Sequence, residues 1–377
     1  MATREEILKT FNPNDLGVDN GNLLGLPFDY DSANIIVFGI PWEVTVSYRA
    51  GTAAAPQAIL AASRQLDIFD FDHPDGWQQG IFMTAISPHL QAKNAALRTE
   101  AARLIEHLEQ GSAIAENQEL AQTLHTLNQE CQAMNQWLFE QAQAAMNQGK
   151  QVAVMGGDHS VPLGYMQALA ERYSDFGILH IDAHADLRDA YEGFQFSHAS
   201  IMFNALKLPQ ISKLVQVGIR DVCHDEVEII ERSQGRISAY YDPMLKQKMY
   251  AGMSWLDLCQ QMVSELPQHV YISFDVDGLD PKLCPNTGTP VPGGLELEQA
   301  FCLFREVVQS GRQIIGFDVC EVGDGEWDGN VGARAVYKLC NLMAFSRSGG
   351  ADGGLSNAAL LKPFQYDKMK QGVYRES

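Results

Sequence analysis

The sequence contains no closely spaced cysteine pair, no long apolar run and no apolar N-terminal segment, and each absence excludes a class of protein. Seven cysteines stand singly, at positions 131, 223, 259, 284, 302, 320 and 340. Single, loosely spaced cysteines supply neither a disulfide framework nor a thiolate zinc site, so we expect reduced thiols. No stretch approaches the ~20 apolar residues of a membrane span, and the charged N-terminal segment MATREEILKTF lacks a signal-peptide core. We therefore expect a cytoplasmic protein without a membrane partner.

Positive charge is also scarce, since 27 Lys and Arg residues stand against 47 Asp and Glu residues. The formal net charge of -20 opposes binding to nucleic acid or to an anionic membrane. The same charge suits a small cationic substrate or metal ions. With 377 residues, 46% of them hydrophobic, the chain is long enough to bury a large core.

From residue 151 onward, short apolar segments that predict buried strands alternate with longer segments that predict helices. The predicted strands are 34–40, 151–155, 176–182, 214–219, 270–275 and 314–319. The predicted helices include 163–172, 227–232 and 296–310. Alternation of this kind predicts a three-layer α/β/α fold with a central, mostly parallel sheet.

The domain organisation is predicted to be simple, because the sequence shows neither a repeat nor a low-complexity linker. We expect one domain over residues 34–377, preceded by an irregular N-terminal arm over residues 1–33. Residues 88–150 are rich in Ala, Gln, Glu and Leu and predict a long helical insertion, with one continuous helix over 116–148. This composition is typical of a scaffold helix or an oligomer contact, and it carries no catalytic pattern.

Side chains that bind metals follow three of the predicted strands, within the segments GGDHS (156–160), DAHAD (182–186) and DVDGLDP (275–281). In an open parallel sheet, the carboxyl ends of the strands meet at one edge, where ligands bind. We therefore expect four carboxylates and two imidazoles to converge there. These candidate metal ligands are His159, Asp182, His184, Asp186, Asp275 and Asp277.

Such a cluster has a clear chemical requirement, because four carboxylates cannot ionise together in a buried site without cations. Two divalent metal ions about 3.5–4 Å apart would neutralise them. Oxygen and imidazole ligands without thiolate favour Mn²⁺, Fe²⁺, Ni²⁺ or Co²⁺ over a structural zinc. A solvated turn or a structural histidine explains each segment alone, but not three segments that each follow a strand.

The three segments, in this order, resemble the metal-binding signatures of the ureohydrolase superfamily, which includes arginase, agmatinase, formiminoglutamase and guanidinobutyrase. The segment TGTP (287–290) and the glycines at 293 and 294 resemble the TGTPxxGG loop of this family, and the resemblance covers residues 34–346. It implies an arginase-like α/β/α fold and a binuclear metal site. The subgroup that the chain resembles most suggests Ni²⁺, with Mn²⁺ as the alternative.

The resemblance also implies a role for each candidate ligand. One metal would be held by His159, Asp182, Asp186 and Asp275. The other would be held by Asp182, His184, Asp275 and Asp277, so that Asp182 and Asp275 are shared. Water activated between the two metals would be the nucleophile, since metal coordination lowers the pKa of water.

Two further residues match family positions that handle the substrate. Glu321, just after the predicted strand 314–319, matches the glutamate that pairs with the substrate guanidinium, a planar cation suited to a carboxylate. His198, in FSHAS (196–200), matches a histidine proposed to carry a proton to the leaving amine. Ala199 stands where the family motif has glycine.

Arg188 bears on the substrate, because it stands where arginases carry an asparagine that contacts the amino-acid end of the substrate. A positive charge there would repel the ammonium tail of agmatine, although Asp189 and Glu192 stand close enough in sequence to neutralise it. Arg188 could equally accept the α-carboxylate of arginine. The chain resembles the cyanobacterial, agmatinase-like branch associated with hydrolysis of free guanidine to urea and ammonia. We therefore expect a guanidine hydrolase, with an agmatinase or another guanidino-acid ureohydrolase as the alternative.

Two other classes of protein stay open at this stage. A non-catalytic metal-binding or assembly protein would suit the long helix and the acidic surface. A zinc deacetylase would share the arginase-like fold but would use one metal with fewer ligands. The number of metal ions per chain therefore distinguishes a deacetylase from a binuclear ureohydrolase. By analogy with the family we expect a homo-oligomer, a hexamer or a trimer, with residues 1–33 or 116–148 at the contacts.

Overall fold

The computed structural model describes residues 3–111, 113–114 and 117–348, and a single sheet of eight parallel strands forms its centre. The strands are β1 (Ile35–Gly39), β2 (Ile81–Met83), β3 (Gln151–Met155), β4 (Phe176–Ile181), β5 (Ile211–Ile219), β6 (Ile237–Tyr241), β7 (His269–Asp275) and β8 (Gln313–Cys320). Their order across the sheet is β2-β1-β3-β8-β7-β4-β5-β6. The predicted central parallel sheet is therefore confirmed.

Helices cover both faces of the sheet and complete the three-layer α/β/α fold. They are α1 (Arg4–Thr10), α2 (Ala55–Ser63), α3 (Pro88–Glu109), α4 (Gln118–Asn147), α5 (Leu163–Ala170), α6 (Ile201–Ala205), α7 (His224–Arg232), α8 (Asp242–Tyr250), α9 (Trp255–Ser264), α10 (Leu297–Gln309) and α11 (Glu326–Ser348). Helix α11 packs on β8 and beside α2 and α10, whereas α4 packs on β3 and beside α3 and α5. Among the helices of the described residues, none combines the length and the apolar composition that a membrane crossing requires.

The sequence predicts the central strands and misses the two at the edges of the sheet. Every residue of β1 and β4 is buried, so each appears in the sequence as a continuous apolar run. By contrast, β2 has only three residues, and four of the five residues of β6 are half-buried. An edge strand is covered less completely, so its apolar pattern is shorter or broken. The helices α8, α9 and α11 were not predicted either.

The N-terminal arm is more ordered than its composition predicts. Helix α1 begins after Thr3, whose hydroxyl accepts the N–H of Glu6 while the Glu6 carboxylate accepts the N–H of Thr3. Further along, the buried amide of Asn22 bonds to the first and last residues of β2. The prediction of irregular structure is therefore wrong for residues 4–10, and the arm is hydrogen-bonded to the edge of the sheet.

The helical insertion consists of two helices, α3 and α4. Ser87 caps α3 by accepting the N–H of Leu90, and a proline occupies the first helical position. Asn117 caps α4 in the same way, and α4 ends one residue before the predicted end of the 116–148 helix. Glu116 and the end of the predicted domain, residues 349–377, lie outside the described residues.

Candidate metal centre

The strand order brings the predicted ligand segments together at one edge of the sheet. Strands β3, β8, β7 and β4 are consecutive neighbours, and because all are parallel their carboxyl ends lie side by side. GGDHS follows β3, Glu321 follows β8, Asp275 ends β7, and Asp182 follows β4. Segments that are up to about 160 residues apart in the chain thereby meet over four adjacent strand ends.

The imidazole of His159 is the centre of a first group of ligands. Its Nδ1 lies 3.1 Å from a carboxylate oxygen of Asp182 and 3.1 Å from one of Asp186. A third carboxylate oxygen, from Asp275, lies 3.3 Å from the same nitrogen. All four side chains are buried. They are the four residues that the family resemblance assigns to one metal.

A second group shares Asp182 with the first. The second carboxylate oxygen of Asp182 lies 3.3 Å from Nδ1 of His184, and a carboxylate oxygen of Asp277 lies 3.1 Å from that nitrogen. The ligand atoms of these three residues are within 4.8 Å of one another, which one metal ion can span. The hydroxyl of Thr289, in the TGTP segment, donates to Asp277 at 3.2 Å. Two ligand groups that share a carboxylate form a candidate binuclear site.

Burial and neighbouring charges shift the pKa values of these groups strongly. Burial, followed by the charges of Asp277 and Asp182, raises the pKa of Asp275 well above its usual range. Burial would also raise the pKa of Asp182, but the neighbouring imidazoles outweigh it and hold that pKa well below the usual range. Burial opposes protonation of His159 and His184, yet their carboxylate partners raise both pKa values well above the usual range. The cluster therefore concentrates more negative charge than it can hold without protons or other cations.

Two buried residues that the sequence analysis did not single out support the ligands. His180 lies in β4, and its Nε2 is 2.8 Å from Asp182 while its Nδ1 faces the amide of Gln216 at 3.0 Å. Ser273 lies in β7, and its hydroxyl is 2.9 Å from Nε2 of His159. Each precedes a candidate ligand by two residues along a strand. Because side chains alternate along a strand, residues two apart share a face, and that spacing is the signal that could have found both.

His180 also stands near enough to act as a ligand itself, since its ring nitrogen is within 4.8 Å of the ligand atoms of His159, Asp182 and Asp186. Two fully buried carboxylates adjoin the same group, and each has one oxygen without a hydrogen-bond partner: Asp158 and Asp318. Buried carboxylate oxygens without partners, beside six other acidic and imidazole ligands, fit a site that takes up divalent cations. The all-oxygen-and-nitrogen donor set fits the metals named from the sequence.

Glu321 is buried directly against the ligand segment. One of its carboxylate oxygens accepts the backbone N–H of His159 at 2.9 Å. The other faces the TGTP segment, where a Cβ atom on Gly288 would lie 2.9 Å from it. The backbone of Glu321 has a φ of +61°, which is uncommon for a residue other than glycine and is typical of positions that the surrounding structure holds in place. Burial, followed by the charge of Asp158, raises the pKa of Glu321 well above its usual range.

A cavity of about 380 Å³ opens beside the second ligand group, with His184, Asp186 and His198 in its wall. His198 is half-buried, and its Nδ1 lies 3.4 Å from the hydroxyl of Ser197. Burial, followed by the positive charge of His184, lowers the pKa of His198 to about 4, so its imidazole is neutral at pH 7. The backbone of Ala199 does not have a positive φ, so this turn is formed without the glycine of the family motif.

Arg188 lines the same cavity, and its guanidinium lies over the ring of Tyr191 at 5.0 Å from the ring centroid. The two acids that stand near Arg188 in sequence do not form an ion pair with it. Asp189 is exposed and lies 3.8 Å from the ammonium of Lys207, and Glu192 has a buried carboxylate oxygen without a partner. Within the part of the chain that the structure describes, Arg188 forms no ion pair with a carboxylate. Arg188 therefore stands without an ion-pair partner on a cavity wall that also holds Asp186, Asp221 and Glu226.

The fold and the site define an α/β/α protein with a candidate binuclear metal centre beyond the carboxyl ends of parallel strands. A profile of the Arginase family matches residues 33–341, so the chain belongs to that family and is a metal-dependent ureohydrolase.

The relatives agree with this assignment. The N(1)-aminopropylagmatine ureohydrolase of Thermus thermophilus is 30% identical over 316 residues, which cover 83% of this chain and 91% of the relative. The agmatinase of Chromobacterium violaceum is 26% identical over 338 residues, covering 85% and 86% of the two chains. The solved structure of the agmatine ureohydrolase of Thermoplasma volcanium has a TM-score of 0.65 at 22% identity and covers 90% of this chain and 97% of that one. At that identity the last comparison shows the fold alone.

Proposed function

We propose that this protein hydrolyses one C–N bond of free guanidinium, so that guanidinium and water give urea and ammonium. The observation that supports the proposal is the combination of two overlapping ligand groups, a glutamate buried against them, and an arginine without an ion-pair partner in the wall of the adjoining cavity. The first two features suit the cleavage of a guanidinium group, and the third suits a substrate that carries no second cation.

The residues of the chain would divide the chemistry as follows. The ligands of the two groups would hold two divalent ions, which when bound would lower the pKa of a water molecule and supply the nucleophile. Glu321 would bind the guanidinium, because a carboxylate and a planar cation form strong charge-assisted hydrogen bonds. His198, which is neutral at pH 7 and lies in the cavity wall, would accept a proton released as water attacks the guanidinium and pass it to the leaving nitrogen.

Arg188 is the main argument for free guanidine as the substrate. Agmatine carries an ammonium group at the end opposite its guanidinium, and the positive charge of Arg188 on the cavity wall would repel that tail. Guanidinium has no tail, so Arg188 does not oppose its binding. Because guanidinium offers little surface, we expect weak binding and a high KM.

A second candidate is the hydrolysis of agmatine or an extended agmatine. Two observations favour it: the names of the relatives from Thermus thermophilus and Chromobacterium violaceum, and the size of the cavity. A volume of about 380 Å³ lies within the range of sites that hold molecules larger than guanidinium.

We further propose two metal ions per chain, with Ni²⁺ as the first choice and Mn²⁺ as the second, in a cytoplasmic homo-oligomer that is a hexamer or a trimer. Metal analysis of fully active protein that finds at most one ion per chain would reject the binuclear site. Light scattering that finds a monomer at micromolar concentration would reject the oligomer.

The decisive experiment measures urea release from guanidine, agmatine, arginine and 4-guanidinobutyrate, with protein loaded separately with Ni²⁺ and with Mn²⁺. The expected result is the highest kcat/KM for guanidine. A higher kcat/KM for agmatine would make agmatine the substrate and would leave the assignment as a ureohydrolase unchanged. If neither metal form releases urea from any of the four compounds, guanidine and agmatine are both excluded as substrates, and an extended agmatine is favoured.

A further inference from the structure

The helices α3 and α4 of the insertion each contact a different segment that lines the cavity. They pack against each other and are joined by an ion pair between Lys93 and Glu130. The composition of this helical pair shows no catalytic pattern, and it supplies none of the candidate metal ligands. Its contacts with the two segments nevertheless connect it to the wall of the cavity.

The first contact runs through Asn94 of α3 to the segment 43–53. The side-chain oxygen of Asn94, which is buried, accepts the backbone N–H of Glu43 at 2.7 Å. The Glu43 carboxylate is buried too, and a single oxygen of it accepts the N–H of Gly51 at 2.7 Å and the N–H of Ala53 at 3.1 Å. The two ends of this segment are thereby fastened to each other and to α3, while its middle, with Tyr48, lines the cavity.

The second contact runs through Asn128 of α4 to the segment 191–198. The side-chain oxygen of Asn128 accepts the N–H of Gln195 at 2.8 Å, and its amide donates to the carbonyl of Gly193 at 3.1 Å. Gly193 has a φ of +85°, and a Cβ atom there would lie 2.7 Å from the side chain of Leu124 on α4. The positive φ favours glycine at this position. The segment continues to His198, in the cavity wall.

A charged residue of α3, Arg98, stands one helical turn after Asn94. One of its guanidinium nitrogens is buried without a hydrogen-bond partner. Burial lowers the pKa of Arg98, while the negative charges of Glu43, Asp158 and Glu192 act to raise that pKa. Arg98 therefore adds an attraction from α3 toward both segments, in addition to the two asparagine contacts.

We infer that α3 and α4 hold the two cavity-lining segments in place, with Asn94 positioning segment 43–53 and Asn128 positioning segment 191–198. The two asparagines are positioning residues, since they act through Tyr48 and His198 and contact neither ligand group. The kinetic part of this inference rests on the proposed ureohydrolase reaction, whereas the structural part does not.

Amide hydrogen exchange on the full-length, metal-loaded protein tests the structural part. Asn128→Ala should speed exchange in peptides covering 191–198, above all at Gln195, and leave 43–53 unchanged. Asn94→Ala should do the reverse. Asn128→Asp keeps the acceptor for the Gln195 N–H and should restore most of the protection. Thr126→Ala is the matched control, because this exposed residue of α4 bonds only within its own helix.

Steady-state urea release with the same variants tests the kinetic part. Asn94→Ala should raise KM about fivefold and change kcat less than twofold, because segment 43–53 lines the cavity but carries no reacting group. Asn128→Ala should lower kcat about fivefold, because its segment carries His198.

Two results would overturn the inference. One is unchanged exchange in both segments in the alanine variants. The other is faster exchange throughout α3, α4 and β3, which would show that the asparagines only stabilise the fold. If the wild-type protein releases no urea, the proposed function fails, but the exchange result still decides whether the two asparagines position these segments.

Discussion

Two groups of carboxylates, each with buried members, differ in what neutralises them. Away from the candidate metal centre, Asp70 and Asp72 each lie 2.8 Å from the ammonium of Lys338, and Arg305 lies 3.4 Å from Asp72. Burial would raise the pKa of Asp70, but the contact with Lys338 outweighs it and lowers that pKa. At the metal centre the ion-pair partners among the described residues are imidazoles, not lysine or arginine.

The comparison shows how a group of carboxylates that stabilises the fold differs from a group that binds divalent cations. The Asp70–Asp72 group carries its own cations, so it is complete when the chain folds and connects a loop to α11. The cluster at the strand ends contains more carboxylates than the protein neutralises, and burial with like charges raises the pKa of Asp275 well above its usual range and that of Asp186 to about 8. Such a site gains stability from divalent cations, which the first group does not need.

The largest expected effect comes from removing a ligand. Asp275→Asn or His184→Ala should lower kcat about a thousandfold or more, because a bound metal supplies several kcal/mol of the lowering of the activation barrier. Metal analysis should find fewer than two ions per chain. Asp280→Asn, in the same DVDGLDP segment but partly exposed, is the control and should keep both ions. Ligand variants with full metal content and full activity would contradict the binuclear site.

The next effect is on stability alone. Lys338→Met should lower the free energy of unfolding by about 3 kcal/mol at pH 7, because it leaves the buried carboxylate of Asp70 without its cation. Activity per folded chain should be unchanged. The folded-state pKa of Asp70 is lowered, so the stabilisation is present above its unfolded pKa of about 3.9 and is lost as the pH falls through the folded value.

Urea denaturation of wild type and variant at a series of pH values measures this difference. The gap between the two curves should therefore begin to narrow below about pH 4 and should close as the pH falls through the lowered folded pKa of Asp70, below which the carboxyl is protonated in both proteins. Lys207→Met, at an exposed position, is the control and should shift stability by less than about 0.5 kcal/mol. A constant gap at all pH values would argue that Lys338 stabilises by packing rather than by charge.

Glu321→Gln should separate substrate binding from metal binding. We expect kcat/KM for guanidine to fall about 10- to 100-fold, the range that corresponds to a lost charged hydrogen bond, while two metal ions stay bound. Glu326→Gln, five residues further along and exposed, should have no effect. Loss of metal together with activity in Glu321→Gln would place this glutamate among the ligands and not at the substrate.

The smallest expected effect concerns selectivity. Arg188→Ala should raise the ratio of kcat/KM for agmatine over guanidine about fivefold to tenfold, because it removes a positive charge that faces the ammonium tail. Arg232→Ala, on the surface of α7, is the control. An unchanged ratio would show that the charge of Arg188 does not set the selectivity between guanidine and agmatine, and would favour the shape of the cavity as its cause.

The sequence was most informative where burial is complete. Central strands appear as unbroken apolar runs, and the segments after them carry all six predicted ligands, which the structure brings within a few ångströms of one another. The edge strands β2 and β6 were not predicted, because β2 has only three residues and partial burial breaks the apolar pattern of β6. The roles of individual ligands stay predictions, since distances alone do not separate His180 from the six.

By itself, the sequence determined the three-layer parallel fold and named six side chains of the candidate metal centre, because strand burial and ligand chemistry both produce short local patterns. Only the tertiary structure decided which side chains surround the cavity and which charges cancel. Asp189 is one residue from Arg188 in sequence yet lies near Lys207, whereas Asn128 lies far from His198 in sequence yet contacts its segment. Contacts of this kind depend on how loops and helices from distant parts of the chain pack together, and no local pattern encodes that packing.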